Sequence, residues 1–378
     1  MANLYGIELT RAAAARHVGS TEQLFGVTLA TRADGPERGV RVLRFRSGGG
    51  LEAEVLVDRS MDVAGLALWG VPIGFHSPTG FRAPWLHEHD SEDGLGWLRS
   101  FSGLMNTCGL DHIMGPTEET AEHYHYPYRR TVRHGLHGRV AYIPARLRGY
   151  GVDWEGERGL LWAEGEVRQA TMFGENLVLR RRIEVEVGGI GLTVTDSVTS
   201  EGFHPTPHAL LYHVNAGWPV LAATARVVAP IRGTPFTAHD PNATTIGPVG
   251  QAPVQSGFVE QVYEHELAVE ADGTGFAALV NPAFAWPGGA TGIGLLVEWD
   301  ARAMPAFYEW QNLQEGNYVV GLEPATAHAG SRDDWKRRGE LIWLDHGDRR
   351  DYRLELTPLL GAEVIAAVEG RCRTALGG

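Results

Sequence analysis

Cysteine is almost missing: Cys108 and Cys372 are the only two in 378 residues, 264 positions apart (372 − 108). So sparse a pair supplies no disulfide framework. No apolar run approaches the roughly 18 residues that a membrane-spanning helix needs. The N-terminus, Met1-Ala-Asn-Leu-Tyr-Gly-Ile-Glu8, lacks a charged stretch followed by an apolar one, so no secretory signal is read there. Positive charge is also in short supply, with 33 Lys and Arg against 46 Asp and Glu and a net charge of −13. That balance argues against a nucleic-acid partner, whose phosphates require clustered cations, and against a polybasic membrane anchor. A soluble cytoplasmic protein is the expectation, with self-association left open.

Long helical periods and βαβ alternation are missing too. What the chain has instead is strand pattern. Gly39 to Phe45 alternates and Leu51 to Val57 follows a Gly48-Gly49-Gly50 turn, which reads as a hairpin. Four segments, Ala145–Asp153, Leu160–Gln169, Asn176–Val187 and Gly191–Ser200, are separated by turn signals and read as an antiparallel meander. Further strands are expected at Arg226–Ile231, Glu260–Val269, Gly275–Val280 and Ile293–Glu298, with Asp272-Gly273 as a hairpin turn. One short helix is expected at Thr10 to Val18. The fold class is therefore all-β, mainly antiparallel, most simply two packed sheets. At 43% hydrophobic residues the chain can fill a large core as one domain over 1–378, with residues 1–35 as an extension packed on it.

Three stretches carry chemistry. In His208-Ala-Leu-Leu-Tyr-His-Val-Asn-Ala-Gly217, period-2 geometry puts Leu211, His213 and Asn215 on one face and Leu210, Tyr212 and Val214 on the other. An imidazole beside a carboxamide is an odd surface to bury unless something polar sits on it; the plain structural alternative is a core histidine tied to a backbone carbonyl. In Arg133-His-Gly-Leu-His-Gly-Arg-Val140, a strand would turn His137 and Arg139 the same way, either toward a ligand or as a solvated pair. In Trp310 to Thr326, Glu323 ends an apolar strand, where partial burial would raise its pKa and make it a usable base; pairing with an arginine is the structural alternative. Glu298, Glu309, Asp300 and Asn317 are nearby substitutes. Asp58-Arg-Ser-Met-Asp62 reads as a salt-bridged turn. The segment Ser77 to Tyr128 is loop-like and rich in Gly, Pro and His; its length predicts that it covers or builds a site, and Phe101 to Gly109 reads as a tight turn beside a cavity. Its His87-x-His89 and His123-x-His125 pairs have no evident third and fourth metal ligands.

Histidine, glutamate and tryptophan around a cavity suit proton transfer on a neutral polyol, whose C–H faces pack on indole and whose hydroxyls bond Asn, Arg and His. Opening a hemiacetal ring needs a proton removed from the anomeric hydroxyl and another given to the ring oxygen. No cofactor is called for by this chemistry.

Five segments, Asp58-Arg-Ser-Met-Asp62, Thr107-Cys-Gly-Leu110, Gly135-Leu-His-Gly-Arg139, Leu211-Tyr-His-Val-Asn-Ala-Gly217 and Gly321-Leu-Glu-Pro324, make the chain resemble the aldose 1-epimerase (galactose mutarotase-like) superfamily, in its DUF4432 branch. The resemblance implies a β-supersandwich with its site on the concave face of the larger sheet. It implies Glu323 as general base, His213 as general acid toward the ring oxygen, and His137 as the second histidine on that oxygen. His137, Arg139, Asn215, Trp310, Asp111 and Arg99 are the candidates for substrate contact, with Asp240 an alternative to Asp111. The chain departs from characterised mutarotases in having Tyr212 where Asn usually precedes the acid histidine, and Val214-Asn215 in place of an aromatic pair. The expected ligand is a small carbohydrate. Two other readings stay open: a lyase or isomerase on an oxidised sugar, with a divalent metal in the histidine-rich segment 76–137, and a non-catalytic sugar-binding protein with Trp97, Trp218 and Trp310 as platforms. A glycosidase would require paired carboxylates, Glu323 with Glu309 or Glu298.

Overall fold

A computed structural model describes residues 2–238 and 246–377. Among these residues the β structure falls mainly into an eight-stranded and a twelve-stranded sheet, all of whose strand pairings are antiparallel. The smaller sheet runs Arg146–Glu155, Arg158–Ala170, Asn176–Glu186, Leu192–Ser200, Arg349–Leu360, Thr291–Asp300, Thr274–Ala285, Arg226–Val228. Its first four strands are the predicted meander, each within two residues of expectation at either end.

The larger sheet runs Ile231–Ala238, Gln261–Leu267, Ala306–Gln314, Asn317–Ala325, Thr206–Gly217, Met105–Leu110, Asp62–Leu68, Leu51–Leu56, Arg41–Arg46, Gly26–Thr31, with Ile342–Leu344 pairing Thr206–Gly217 and Val71–Pro72 pairing Asp62–Leu68 off this path. Its middle strand, Thr206–Gly217, is buried along its whole length. Leu210, Tyr212, Val214 and Ala216 enter the main core with Leu161, Ile183, Val194 and Leu354 of the smaller sheet. The other face, with Ala209 and Leu211, packs instead into a second cluster with Trp97, Phe101, Tyr308 and Trp335, supplied largely by segments that fold over the sheet. Burying apolar area at about 25 cal/mol per Å² favours both coverings. It also leaves the alternate positions of the middle strand, His213 among them, facing away from the smaller sheet.

Several expectations are corrected. Pro230 splits the predicted Arg226–Ile231 strand, so Arg226–Val228 belongs to the smaller sheet and Ile231–Ala238 to the larger. The Asp272-Gly273 turn links strands of different sheets and closes no hairpin. Residues 133–140 are not one strand: Thr131–His134 ends before a turn that holds His137 at φ 58°. The run from Phe101 forms strand Met105–Leu110, which pairs with the middle strand. Helix Arg11–His17 is found where expected, capped by the Thr10 hydroxyl. The 14-residue helix Ala362–Ala375 was not read, because its buried face rests on Ile365 and Val368 amid charged residues and alanines.

Candidate functional site

Register brings the two principal residues together. Pairing Leu211 with Ala325 and Val214 with Leu322 sets His213 opposite Glu323 on neighbouring strands. Their side chains meet, with His213 Nε2 3.1 Å from Glu323 Oε1. Beneath them lies Gly321, where a Cβ would stand 2.4 Å from Glu323 Oε1 and 3.2 Å from His213 Cε1. The missing side chain is what gives the pair room.

Asn215 fixes the chemistry of the histidine. Its amide nitrogen donates to the Gly103 carbonyl at 3.0 Å, the His213 carbonyl at 3.0 Å and Asn106 Oδ1 at 3.2 Å. That orientation leaves Oδ1 to accept from His213 Nδ1–H at 2.5 Å. The proton on Nδ1 leaves Nε2 as the reactive nitrogen, directed at Glu323.

Both members of the pair are 4% exposed. Burial, then the neighbouring His137, pushes the His213 imidazole well below 6.5. Burial, then Glu260, pushes the Glu323 carboxyl well above 4.5, and Oε1 makes no hydrogen bond of good geometry despite its closeness to Nε2. His137 is lowered to about 3 by burial and by His112. Its Nδ1 accepts from the Met114 N–H at 3.4 Å, so the neutral ring carries its proton on Nε2 as a donor.

Aromatic rings close the site. Trp97 lies 4.8 Å from the His137 ring and 5.6 Å from His213, Phe101 lies 4.9 Å from His213, and Trp310 meets His213 edge-on at 5.3 Å. His137 and His213 are 5.6 Å apart, centroid to centroid. The half-buried Trp310 donates its indole N–H to Glu260 at 2.8 Å. The pair is thus sealed. A cavity of about 870 Å³ lies elsewhere, on strands Arg41–Arg46, Leu51–Leu56 and Asp62–Leu68, and Trp218 lines it. That cavity is lined by no buried acid–base partners; its charges are exposed or partly so, Arg44 being paired with Glu54.

His213, Glu323, His137, Asn215 and Trp310 come together; the other candidates do not. Arg99 is exposed and bonded to Glu92 at 2.5 Å. Asp111 is wholly buried, taking a hydrogen bond from Gln169 at 2.7 Å and lying 3.6 Å from His134. Arg139 turns toward Glu175 and Asp111, since the turn at His137 breaks the alternation that would have aligned the two. Asp240 lies outside the described residues. Glu309 faces the other side of its strand, where it meets His265 at 3.2 Å, and Glu298 sits in the smaller sheet bonded to Arg371. Neither Glu309 nor Glu298 therefore flanks Glu323 as the glycosidase reading requires; the acid that acts on it is Glu260, bonded to Trp310. His87 and His89 both stack toward Tyr142, and among the described residues no group of three or more His, Cys, Asp or Glu is arranged to hold a metal ion.

Phe101, Asn106 and Glu260 are not among the candidates for the site that the sequence supplies. Phe101 and Asn106 sat in a run that looked like a turn, while Glu260 reaches the site only through Trp310. Asp58-Arg-Ser-Met-Asp62 is a salt-bridged network as read, but a buried one, with Asp58 pairing Arg41 and Asp62 pairing Arg181.

The architecture is that of galactose mutarotase-like proteins of known structure. A provisionally assigned aldose 1-epimerase from Klebsiella pneumoniae superposes with a TM-score of 0.81 at 22% identity, covering 94% of this chain and 91% of that one. A galactose mutarotase-like protein from Clostridium acetobutylicum (TM-score 0.55, 13% identity, 88% and 98% covered) and a galactose 1-epimerase from Lactobacillus acidophilus (0.53, 12%, 89% and 99%) share the architecture. Within that fold the chain belongs to the family of the domain of unknown function DUF4432, whose family model matches residues 37–357. No functionally curated protein is significantly similar to it.

Proposed function

We propose that this protein is a carbohydrate-active enzyme of the aldose 1-epimerase type, interconverting the anomers of a monosaccharide by acid–base ring opening. The observation that carries this is the His213–Glu323 pair, 3.1 Å apart and sealed under Trp97, Phe101 and Trp310. The two oxygens to be served are bonded to one carbon, so base and acid must sit side by side. With the proton that the pair shares carried from Glu323 onto His213 Nε2, Glu323 takes the proton of the anomeric hydroxyl as the bond from C1 to the ring oxygen breaks. His213 Nε2 gives its proton to that oxygen, with the His137 Nε2–H as a further donor there. Rotation about C1–C2 and the reverse steps close the other anomer. The proton count of the pair is unchanged over the cycle.

Trp310 is the cover to be moved for a sugar to enter, since it is only half buried. A binding protein gains nothing from a carboxyl held well above its ordinary pKa, which favours catalysis over simple sugar binding. In the same reading residues 1–378 form one unit, residues 1–35 being an extension packed on it.

The test is anomer interconversion, followed by polarimetry on freshly dissolved pure anomers. Glu323→Gln and His213→Asn are each expected to lower the rate by about tenfold or more with the fold retained. Wild-type protein that accelerates no aldose would overturn the reading.

A further inference from the structure

Arg59 is 2% exposed, yet its one side-chain hydrogen bond is a long 3.4 Å contact from Nη1 to the Ser102 carbonyl, and its Nε has no partner. Asp62, the carboxylate that acts most strongly on Arg59, commits Oδ1 to Arg181 at 3.3 Å and to the Thr107 hydroxyl at 2.6 Å and leaves Oδ2 without a partner; Asp62 and Arg59 make no ion pair within 4.0 Å. A buried guanidinium without a bonded anion is costly.

It is not alone. His87 Nε2 and Trp97 Nε1 are also buried and unpartnered, and the Tyr142 hydroxyl and Ser100 Oγ have only each other. These groups are neighbours: His87 stacks on Tyr142 at 4.1 Å, the Tyr142 hydroxyl faces Ser100, and Arg59 acts electrostatically on both Tyr142 and His87. They adjoin the catalytic pair as well. Trp97 packs against His137 and His213, and the Ser102 carbonyl that receives Arg59 also receives Asn106, which bonds Asn215 and through it His213. Native structures leave few buried polar atoms unsatisfied, so five groups this poorly bonded beside one site call for an outside acceptor. All five can donate, none is anionic, and one is a guanidinium, whose fork suits carboxylate or phosphate oxygens.

We propose that Arg59, flanked by Tyr142, Ser100 and Trp97, holds a negatively charged substituent of the sugar, a carboxylate or a phosphate, while Glu323 and His213 act on its anomeric carbon. The proposal rests on the epimerase reading and narrows its substrate class to acidic sugars.

The experiment compares a neutral hexose, a hexuronic acid and a hexose 6-phosphate as freshly dissolved pure anomers. It uses wild-type, Arg59→Lys and Arg59→Met proteins, with Tyr142→Phe as a milder variant should Arg59→Met fail to fold. Interconversion is followed by proton NMR and binding by ligand-observed saturation transfer. At least one charged sugar is expected to exceed the neutral one by tenfold or more in kcat/KM. That ratio should fall toward one in Arg59→Met and be partly kept in Arg59→Lys, with the loss mainly in KM. Which charged sugar responds tells carboxylate from phosphate. A neutral sugar turned over as well as both charged ones overturns the subsite and leaves the epimerase reading standing. A charged sugar that binds through Arg59 but is not interconverted supports the subsite and overturns the epimerase reading. If no sugar binds, both fall. Equal losses on every sugar in the Arg59 variants would make Arg59 a structural companion of Asp62 and overturn the subsite.

Discussion

Glu323 and His213 are both driven toward their neutral forms, chiefly by burial, so one proton between them is the favoured loading of the resting pair. This arrangement has a stability cost that can be measured. A carboxyl whose folded pKa lies above its unfolded one is unpenalised below about pH 4.5 and destabilises the fold as pH rises from there toward the folded value. Glutamine has the same shape, no charge to lose, and an amide N–H that can meet Nε2. Glu323→Gln is therefore expected to melt at the wild-type temperature near pH 4 and above it at pH 7 to 8, the gap widening with pH, while activity is lost. A variant less stable than wild type at pH 8 would mean that the carboxylate is solvated or paired in the fold. His213 works in the opposite sense: its lowered pKa makes its contribution complete above pH 6.5 and lost as pH falls below it. Sequence gave access to these two residues because each stands at an alternating position of an apolar strand. It did not give Asn215 its role, for that rests on which way an amide is turned, and the turning is set by Gly103 and Asn106 more than a hundred residues away.

The strands at the middle of the larger sheet show why some elements were readable and others were not. Period-2 alternation in Thr206–Gly217 and Asn317–Ala325 survives folding because each face meets a different neighbour, one the smaller sheet and the other the covering segments. Arg99, Asp111 and Arg139 lie in covering segments that carry no such period, and their contacts are decided by turns. At Gly138 (φ 74°) a Cβ would meet the Gly109 carbonyl oxygen at 2.4 Å, so the chain there is drawn against the strand in a way no alternation rule foresees. Gly321 tests the strand-level picture. It has ordinary strand geometry and borders the pair from below, with the nearest atoms to an added Cβ belonging to Glu323 and His213. Gly321→Ala is expected to push the two side chains off their 3.1 Å contact and lower kcat by about tenfold or more. The melting temperature should shift by only a few degrees, since fitting one extra methyl into a buried site by moving side-chain ends costs about 1–3 kcal/mol. Full activity in that variant would show that the pair need not be held this closely.

Across the whole molecule, the strand that carries His213 is anchored to the smaller sheet by a buried ionic network. Arg181 and Asp196, both fully buried in the smaller sheet, bond twice, at 2.8 and 2.6 Å. Arg181 then reaches the Thr107 hydroxyl at 2.8 Å and Asp62 at 3.3 Å, while Tyr212, the residue before His213, donates its hydroxyl to Asp196 at 2.7 Å. Three strands of the larger sheet are thereby tied to two of the smaller. The Asp58–Asp62 motif hinted at ion pairing, but nothing local in it points to an arginine 119 positions on, because the pairing exists only once the sheets face each other. Replacing Asp196 by alanine would leave the Arg181 guanidinium and the Tyr212 hydroxyl buried without their main acceptor. Breaking one side of such a pair costs about 3–5 kcal/mol, a large share of the 5–15 kcal/mol that holds a typical domain folded. Urea unfolding of Asp196→Ala should show that loss as a lowered midpoint. Because Tyr212 and His213 are consecutive, what protein stays folded should also show weaker anomer interconversion than its folded fraction accounts for. Should stability fall while activity per folded molecule stays at the wild-type level, the network would be a clamp between the sheets with no part in holding His213 against Glu323.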